Sequence, residues 1–223
     1  MADVTSHKSY RPLTVFTYRL NRLLFGNSPF SFHLVNVLLH VWLVNRFFWF
    51  VRYLGLDAMH SFMTVIIFGL HPVNSESVAN CVGRAEILSA HFFLSAINSR
   101  EDSILSGAFA FLSMLCKEGG VFSLALLVGI EIALLLRSTR SPSISSEFWI
   151  FVSSKLFLWL GYLLMFTSLR LCILSGTYPI FTPHDNPAAH APTVFSRIVT
   201  KVYYWVTHYF LLFCPKDRIL EYS

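Results

Sequence analysis

Charged side chains are scarce in this sequence. They make up 13% of its 223 residues against 55% that are hydrophobic, which leaves too little polar surface to cover a soluble globule of this length. The chain therefore reads as an integral membrane protein. Cysteine offers no scaffold, because Cys81, Cys116, Cys172 and Cys214 stand far apart with no C-x-x-C spacing, which argues against both a zinc site and a compact disulfide framework. No metal is expected. No asparagine starts a usable N-x-Ser/Thr acceptor: Asn27 is followed by Ser28 and Pro29, and Asn74 and Asn98 lack the hydroxyl two positions on. The absence of an internal repeat of the kind many transporters carry weakens a transporter or channel reading. Met1 to Ser9 is polar, so no cleavable signal peptide is visible; an apolar helix would direct insertion, or the natural start lies upstream.

The formal charge of +5 would suggest nucleic acid in a soluble protein. Here the basic residues sit at the ends of apolar runs, the pattern of positive-inside loops and lipid head groups, and no nucleic-acid partner is expected. One stretch breaks the apolar character most sharply. His71 to Glu86, HPVNSESVANCVGRAE, reads as a water-facing loop between two apolar segments, closed on one side by Pro72 and opened on the other by Gly83. His71, Glu76, Arg84 and Glu86 then stand at the mouth of two helices, either as a polar lid that satisfies helix ends or as a binding site.

In chain order, Tyr10 to Phe25 predicts a helix lying along the membrane surface, with Leu13, Phe16, Leu20 and Leu24 on one face and Arg11, Tyr18 and Arg22 on the other. Pro29 to Val51 is long enough to span a hydrocarbon core of about 30 Å. Its His33, Asn36 and His40 form one stripe that should face other helices; interhelical hydrogen bonding is the reading for the two histidines, since no third metal ligand is evident. Ala58 to Leu70, Arg84 to Asn98 and Ser103 to Cys116 are apolar segments of 13 to 15 residues, short of the roughly 20 a full crossing needs. In the second of these, Arg84, His91, Ser95 and Asn98 make a polar stripe. Lys117, Glu118, Gly119 and Gly120 break the run before Val121 to Leu136, and Glu147 to Leu174 is another long span with Lys155 able to snorkel near one end. The first half of Arg197 to Cys214 reads as interfacial. Arg137 to Ser146 is the best cytoplasmic loop by its basic content, and counting alternately from it places the Arg46/Arg52 and Arg100 turns on the same side. The His71 to Glu86 loop, the Lys117 to Gly120 break and the Pro-rich loop Tyr178 to Pro192, which carries Asp185, then share the other side.

SHKSYRPLTVFTYRLN, PFSFHLVNVLLH, HPVNSESVANCVGRAEILSA, LCKEGG and DNPAA stand in an order and context that resembles the transmembrane and tetratricopeptide-repeat O-mannosyltransferases, from Ser6 to Cys214. The resemblance implies a multi-pass membrane enzyme of the endoplasmic reticulum that takes mannose from dolichyl phosphate mannose and attaches it to Ser or Thr of secretory-pathway proteins such as cadherins. It also implies the fold class: an all-α, polytopic, GT-C-like bundle of about six to seven apolar helices with an N-terminal interfacial helix. Residues 1–223 would form a single partial membrane domain. The family's first membrane helix, its luminal loop with paired acidic residues, and its C-terminal repeats have no counterpart in these residues, so the chain alone is not expected to transfer mannose.

Transfer to a hydroxyl needs a carboxylate to take the acceptor proton. Glu76 and Glu86 are the candidates for it in this sequence, with Glu118 and Asp185, like His71, read as loop or pocket residues. A lipid phosphate calls for cations and backbone N–H groups at helix ends, and Arg84, directly after Gly83, and Lys117, two residues before Gly119, are expected to hold it from one membrane face. The alternative function is a non-catalytic membrane protein that retains a lipid-phosphate or partner-binding bundle.

Overall fold

The computed structural model describes residues 10–138, 146–174 and 192–213; the Asp185 loop falls outside them. Every regular element among these residues is helical: α1 (Pro12–Phe25), α2 (Pro29–Tyr53), α3 (Ala58–Leu70), α4 (Val73–Ala79), α5 (Arg84–Asn98), α6 (Ser103–Cys116), α7 (Phe122–Ser138), α8 (Ser146–Leu174) and α9 (Val194–Phe213). The chain forms two compact units, one of them Tyr10–Gly176, with α9 in the other.

Local chemistry sets most of the boundaries. Pro12 and Pro29 occupy first-turn positions, where the missing N–H costs nothing. Asp57 caps α3 by accepting from the His60 N–H at 2.8 Å, and Asp102 caps α6 by accepting from the N–H groups of Ile104 and Leu105 at 3.0 Å each. Gly26 ends α1 with φ at +68°, and Gly55 turns the chain after α2 with φ at +96°, a conformation other residues rarely adopt.

Three stretches are long and apolar enough to cross a bilayer: Pro29–Tyr53, Glu118–Leu136 and Trp149–Ile173. The apolar helices α3 and α6, of 13 and 14 residues, rise only about 20 Å each, less than a core of about 30 Å. Where six to seven apolar helices were expected, three among the described residues have a spanning length. The reason lies in the polar turns, which cut the middle of the chain into short hairpins.

The α5–α6 hairpin is joined through small residues and hydroxyls, the means available where apolar burial gives little drive between helices. Ser113 Oγ donates to the Ser89 carbonyl at 2.8 Å and lies 3.0 Å from Ser89 Oγ, while Ser106 Oγ donates to the Ala96 carbonyl at 2.6 Å. On its far side, Ala110 and Met114 pack with Leu124 and Leu127 of α7 and Trp159 and Phe166 of α8. A smaller core of Leu43, Ile87 and Leu94 joins α2 to α5.

Helix α1 is placed with its polar side inward. Thr14 and Asn21 are buried, while Phe16, Leu20, Leu23 and Leu24 are exposed. Thr14 Oγ1 donates to the Cys116 carbonyl at 2.9 Å and Tyr18 Oη to the Cys81 carbonyl at 2.6 Å. Such an inverted helix is stable where its apolar face meets lipid.

Candidate functional site

The breaks at 71–86 and 117–121 meet at one end of the bundle. A glycine lets each break fold tightly onto its own neighbouring chain. A Cβ on Gly83 would stand 2.2 Å from the Ser77 carbonyl oxygen, and one on Gly120 would stand 2.3 Å from the Ser113 carbonyl carbon. Both obstacles are backbone, so no larger residue fits without moving the chain. The stretch read as a water-facing loop is in fact wound into α4 and a 3-10 turn over Cys81–Gly83, because its side chains bond the nearby backbone. Asn80 Oδ1 accepts from the Val82 N–H at 3.0 Å, and His71 Nδ1 accepts from the Val73 N–H at 3.1 Å.

The two cations expected to bind phosphate occupy different environments. Arg84 is 0% exposed. Its Nε donates to Asn36 Oδ1 at 2.8 Å, and Nη2 donates to Asn21 Oδ1 at 2.9 Å and the Phe32 carbonyl at 3.0 Å. The Tyr18 and Phe32 rings flank the guanidinium with centroids 4.8 and 5.5 Å away. Its partners thus come from α1 and α2, which it ties to α5. Lys117 is one-third exposed and its Nζ contacts Glu86 Oε1, while Glu86 Oε2 accepts from Ser77 Oγ at 2.8 Å. Burial pushes the Glu86 carboxyl up, but the hydrogen bonds from Lys117 and Ser77 outweigh it and hold the group below the usual glutamate value.

Lys117 and Glu86 stand on the wall of a cavity of about 370 Å³. Gly119 and Ser89 complete its polar part. The remainder is apolar: Leu43 and Phe47 of α2, Phe68 of α3, and Ala90, Phe93 and Leu94 of α5. Arg84 is not on this wall. Beside the cavity, Glu118 accepts from Arg11 Nη2 at 2.9 Å and from Arg170 Nη2, and Arg170 Nη1 donates to the Tyr10 carbonyl at 2.6 Å. Arg170 Nε is buried with no partner. Glu76 is exposed on α4. No group of three His, Cys, Asp or Glu side chains among the described residues is arranged to hold a metal. His40 Nε2 instead lies 3.0 Å from the Gly69 carbonyl, and His33 Nε2 lies 4.0 Å from Cys81 Sγ.

At the opposite end, Lys155 of α8 bonds the Arg100 carbonyl at 3.2 Å and Glu101 Oε2 at 2.8 Å, so it is buried against protein instead of snorkelling to solvent. Arg46 reaches along the polar stripe to the His91 carbonyl at 3.0 Å and Ser95 Oγ at 2.7 Å. The stripe was legible from its spacing, but the pairing of Arg11 and Arg170 on Glu118 and the burial of Glu131 were not. Glu131 is buried in α7 with one carboxylate oxygen lacking a partner, as is the Trp159 indole N–H. A lone acidic residue within an apolar span was the signal that could have found it.

No solved structure matches the chain. The family signature described as Protein O-mannosyl-transferase TMTC, DUF1736, matches residues 175–223. Human Protein O-mannosyl-transferase TMTC2 is 34% identical over 98% of this chain and 28% of its own length, and human TMTC3 is 34% identical over 100% of this chain and 27% of its own. Protein O-mannosyl-transferase F38B6.6 of Caenorhabditis elegans is 32% identical over 100% of this chain and 31% of its own length. The chain thus spans under a third of each relative. With similarity at this level running along the entire sequence, the chain belongs to the TMTC family of protein O-mannosyl-transferases.

Proposed function

We propose that this chain is a membrane core of a protein O-mannosyltransferase, GT-C-like and multi-pass in the endoplasmic reticulum, whose donor is dolichyl phosphate mannose and whose acceptors are Ser or Thr hydroxyls of secretory-pathway proteins. The observation that carries the reading is the cavity: an apolar slot between α2, α3 and α5 with one ammonium, that of Lys117, on its polar wall. A polyprenyl phosphate has the complementary chemistry, an apolar chain ending in an anion. Lys117 meets the phosphate, and the Arg11–Arg170 pair on Glu118 adds positive charge nearby. Arg84, the second cation expected there, serves this site by holding α1 and α2 in place.

In the transfer, the acceptor oxygen forms a bond to the sugar C1, the C1–O bond to phosphate breaks, dolichyl phosphate leaves, and a base takes the hydroxyl proton. Glu86 is ionised and stands on the cavity wall, but Lys117 and Ser77 occupy its carboxylate, so its role is to orient Lys117. That same occupation favours the second reading, a bundle that binds lipid phosphate without carrying out the transfer.

A photoactivatable polyprenyl phosphate offered to the chain in nanodiscs tests the site. The expected result is crosslinking to Phe47 or Phe93, with Lys117→Gln weakening binding about tenfold or more, the scale of a hydrogen bond to a charged group. Unchanged binding in Lys117→Gln would reject the site. Binding without mannose transfer to an acceptor peptide, in a full-length relative carrying this segment's sequence, would select the second reading.

A further inference from the structure

The strongest unassigned surface is α9. At 100° per residue, Tyr209, Val202, Phe195 and Val206 run along the middle of one half of the helix, flanked by Ile198, Trp205 and Val194 on one side and by Val199 and Phe210 on the other. All of these side chains are exposed. The other half carries Ser196, Arg197, Thr200, Lys201, Tyr204 and Thr207, and no Asp or Glu occurs from Val194 to Phe213. The helix needs no outside help to start: the Ser196 N–H donates to Thr193 Oγ1 at 3.1 Å. Thr200 Oγ1 and Thr207 Oγ1 fold back onto the carbonyls of Ser196 and Tyr203, at 2.7 and 2.9 Å, so these two hydroxyls are served by the helix's own backbone.

From this pattern we infer that α9 is an in-plane membrane helix along its whole length, with its aromatic half sunk to the boundary between head groups and acyl chains and Lys201 among the phosphates. Two features select a bilayer over another occupant. Trp and Tyr are the residues that favour the interface, and Trp205, Tyr203 and Tyr209 supply three. The helix is tied to a chain with three stretches fit to cross a membrane, so a bilayer surface is always at hand. α9 is not itself among those stretches, and a crossing would draw its polar half through hydrocarbon from end to end. This inference does not depend on the mannosyltransferase reading, since it involves neither Lys117 nor the cavity.

The test is a spin label on an encoded keto amino acid, placed singly at Ile198, Thr200, Lys201, Val202, Trp205, Val206, Thr207 and Tyr209 of the full chain. The chain is reconstituted in vesicles of phosphatidylcholine with phosphatidylserine, and label depth is read from collisions with oxygen against those with a nickel chelate. The expected depth oscillates with the helical turn, deepest at Val202, Val206 and Tyr209 and shallowest at Thr200 and Thr207, with both ends of the helix at equal depth. Depth that changes steadily from one end to the other means a crossing helix and overturns the inference. Labels at Val202 and Trp205 shielded from both reagents mean a protein partner, and overturn it equally.

Discussion

Arg84 and Lys117 lie at neighbouring helix ends and carry the same charge, yet they should fail in different ways when replaced. Arg84→Ala removes the donor that the side-chain oxygens of Asn21 and Asn36 accept from and leaves those oxygens buried. Hydrogen bonds to charged groups contribute about 1.5–3 kcal/mol each, so a loss on the order of 3 kcal/mol is expected, seen as a lower unfolding midpoint in detergent and reduced yield. Lys117→Gln, at a partly exposed site, should keep the midpoint and lose lipid-phosphate binding instead. At the other end, the Glu101 carboxyl is held below the usual glutamate value, first by the hydrogen bond from Lys155 and then, against the opposing effect of burial, by Arg100. A depressed folded value means that this contribution is complete above the ordinary carboxylate pKa of about 4.3 and is lost as pH falls through the folded one. Stability should therefore be level from pH 7 to about 5 and decline below that. Glu101→Gln, measured by thermal unfolding across the same range, should flatten part of the decline; an unaltered profile would remove Glu101 from the account.

Among the elements, the two tight turns that build the site depend on glycine for space and not for φ. Gly83→Ala and Gly120→Ala each push a methyl into backbone, so a destabilisation of about 1–3 kcal/mol is expected from overpacking. Gly129→Ala in α7 meets nothing within 4 Å, and there the change should be neutral or stabilise by about 0.5–1 kcal/mol through helix propensity. Denaturant or thermal unfolding of the three variants side by side checks the ordering. If Gly83→Ala matched Gly129→Ala, the close approach of α4 to the start of α5 would be wrong.

For the whole molecule, the bundle has two chemically different ends. The 71–86 segment, the 117–121 break and Arg170 meet at one, through Glu86–Lys117 and Glu118–Arg170. The Arg100 turn and Lys155 meet at the other. That division agrees with the alternate count made from the basic loop, which assigns the first end to the lumen. An engineered N-x-Thr acceptor near Ser77 is accordingly expected to be glycosylated in microsomes, and one placed at residues 139–145 is not. Modification only at the latter would invert the orientation, and with it the side on which the cavity receives its lipid.

Helix ends were legible because their causes are local. Ala58–Leu70, Arg84–Asn98 and Ser103–Cys116 could be read from Asp57, Pro72, Asp102 and Lys117 without knowing what packs against them. The membrane class was equally plain, since composition alone decides whether enough polar surface exists. The amphipathic nature of α1 was visible too, but not that its polar face would turn inward. In water that choice is forced by apolar burial; beside lipid, unsatisfied hydrogen bonds decide it, and those depend on the carbonyls of Cys81 and Cys116 far along the chain. The partners of Arg84 show the same division. Periodicity placed it at the head of an inward stripe, whereas the side chains that fill its hydrogen bonds come from α1 and α2, 63 and 48 residues away. Glu118 meets Arg11 and Arg170 across 107 and 52 residues. The sequence determined which residues carry charge at each helix end, and tertiary packing alone decided which of those charges are buried within the fold, like Arg84, and which, like Lys117 paired with Glu86, stand on the wall of a cavity.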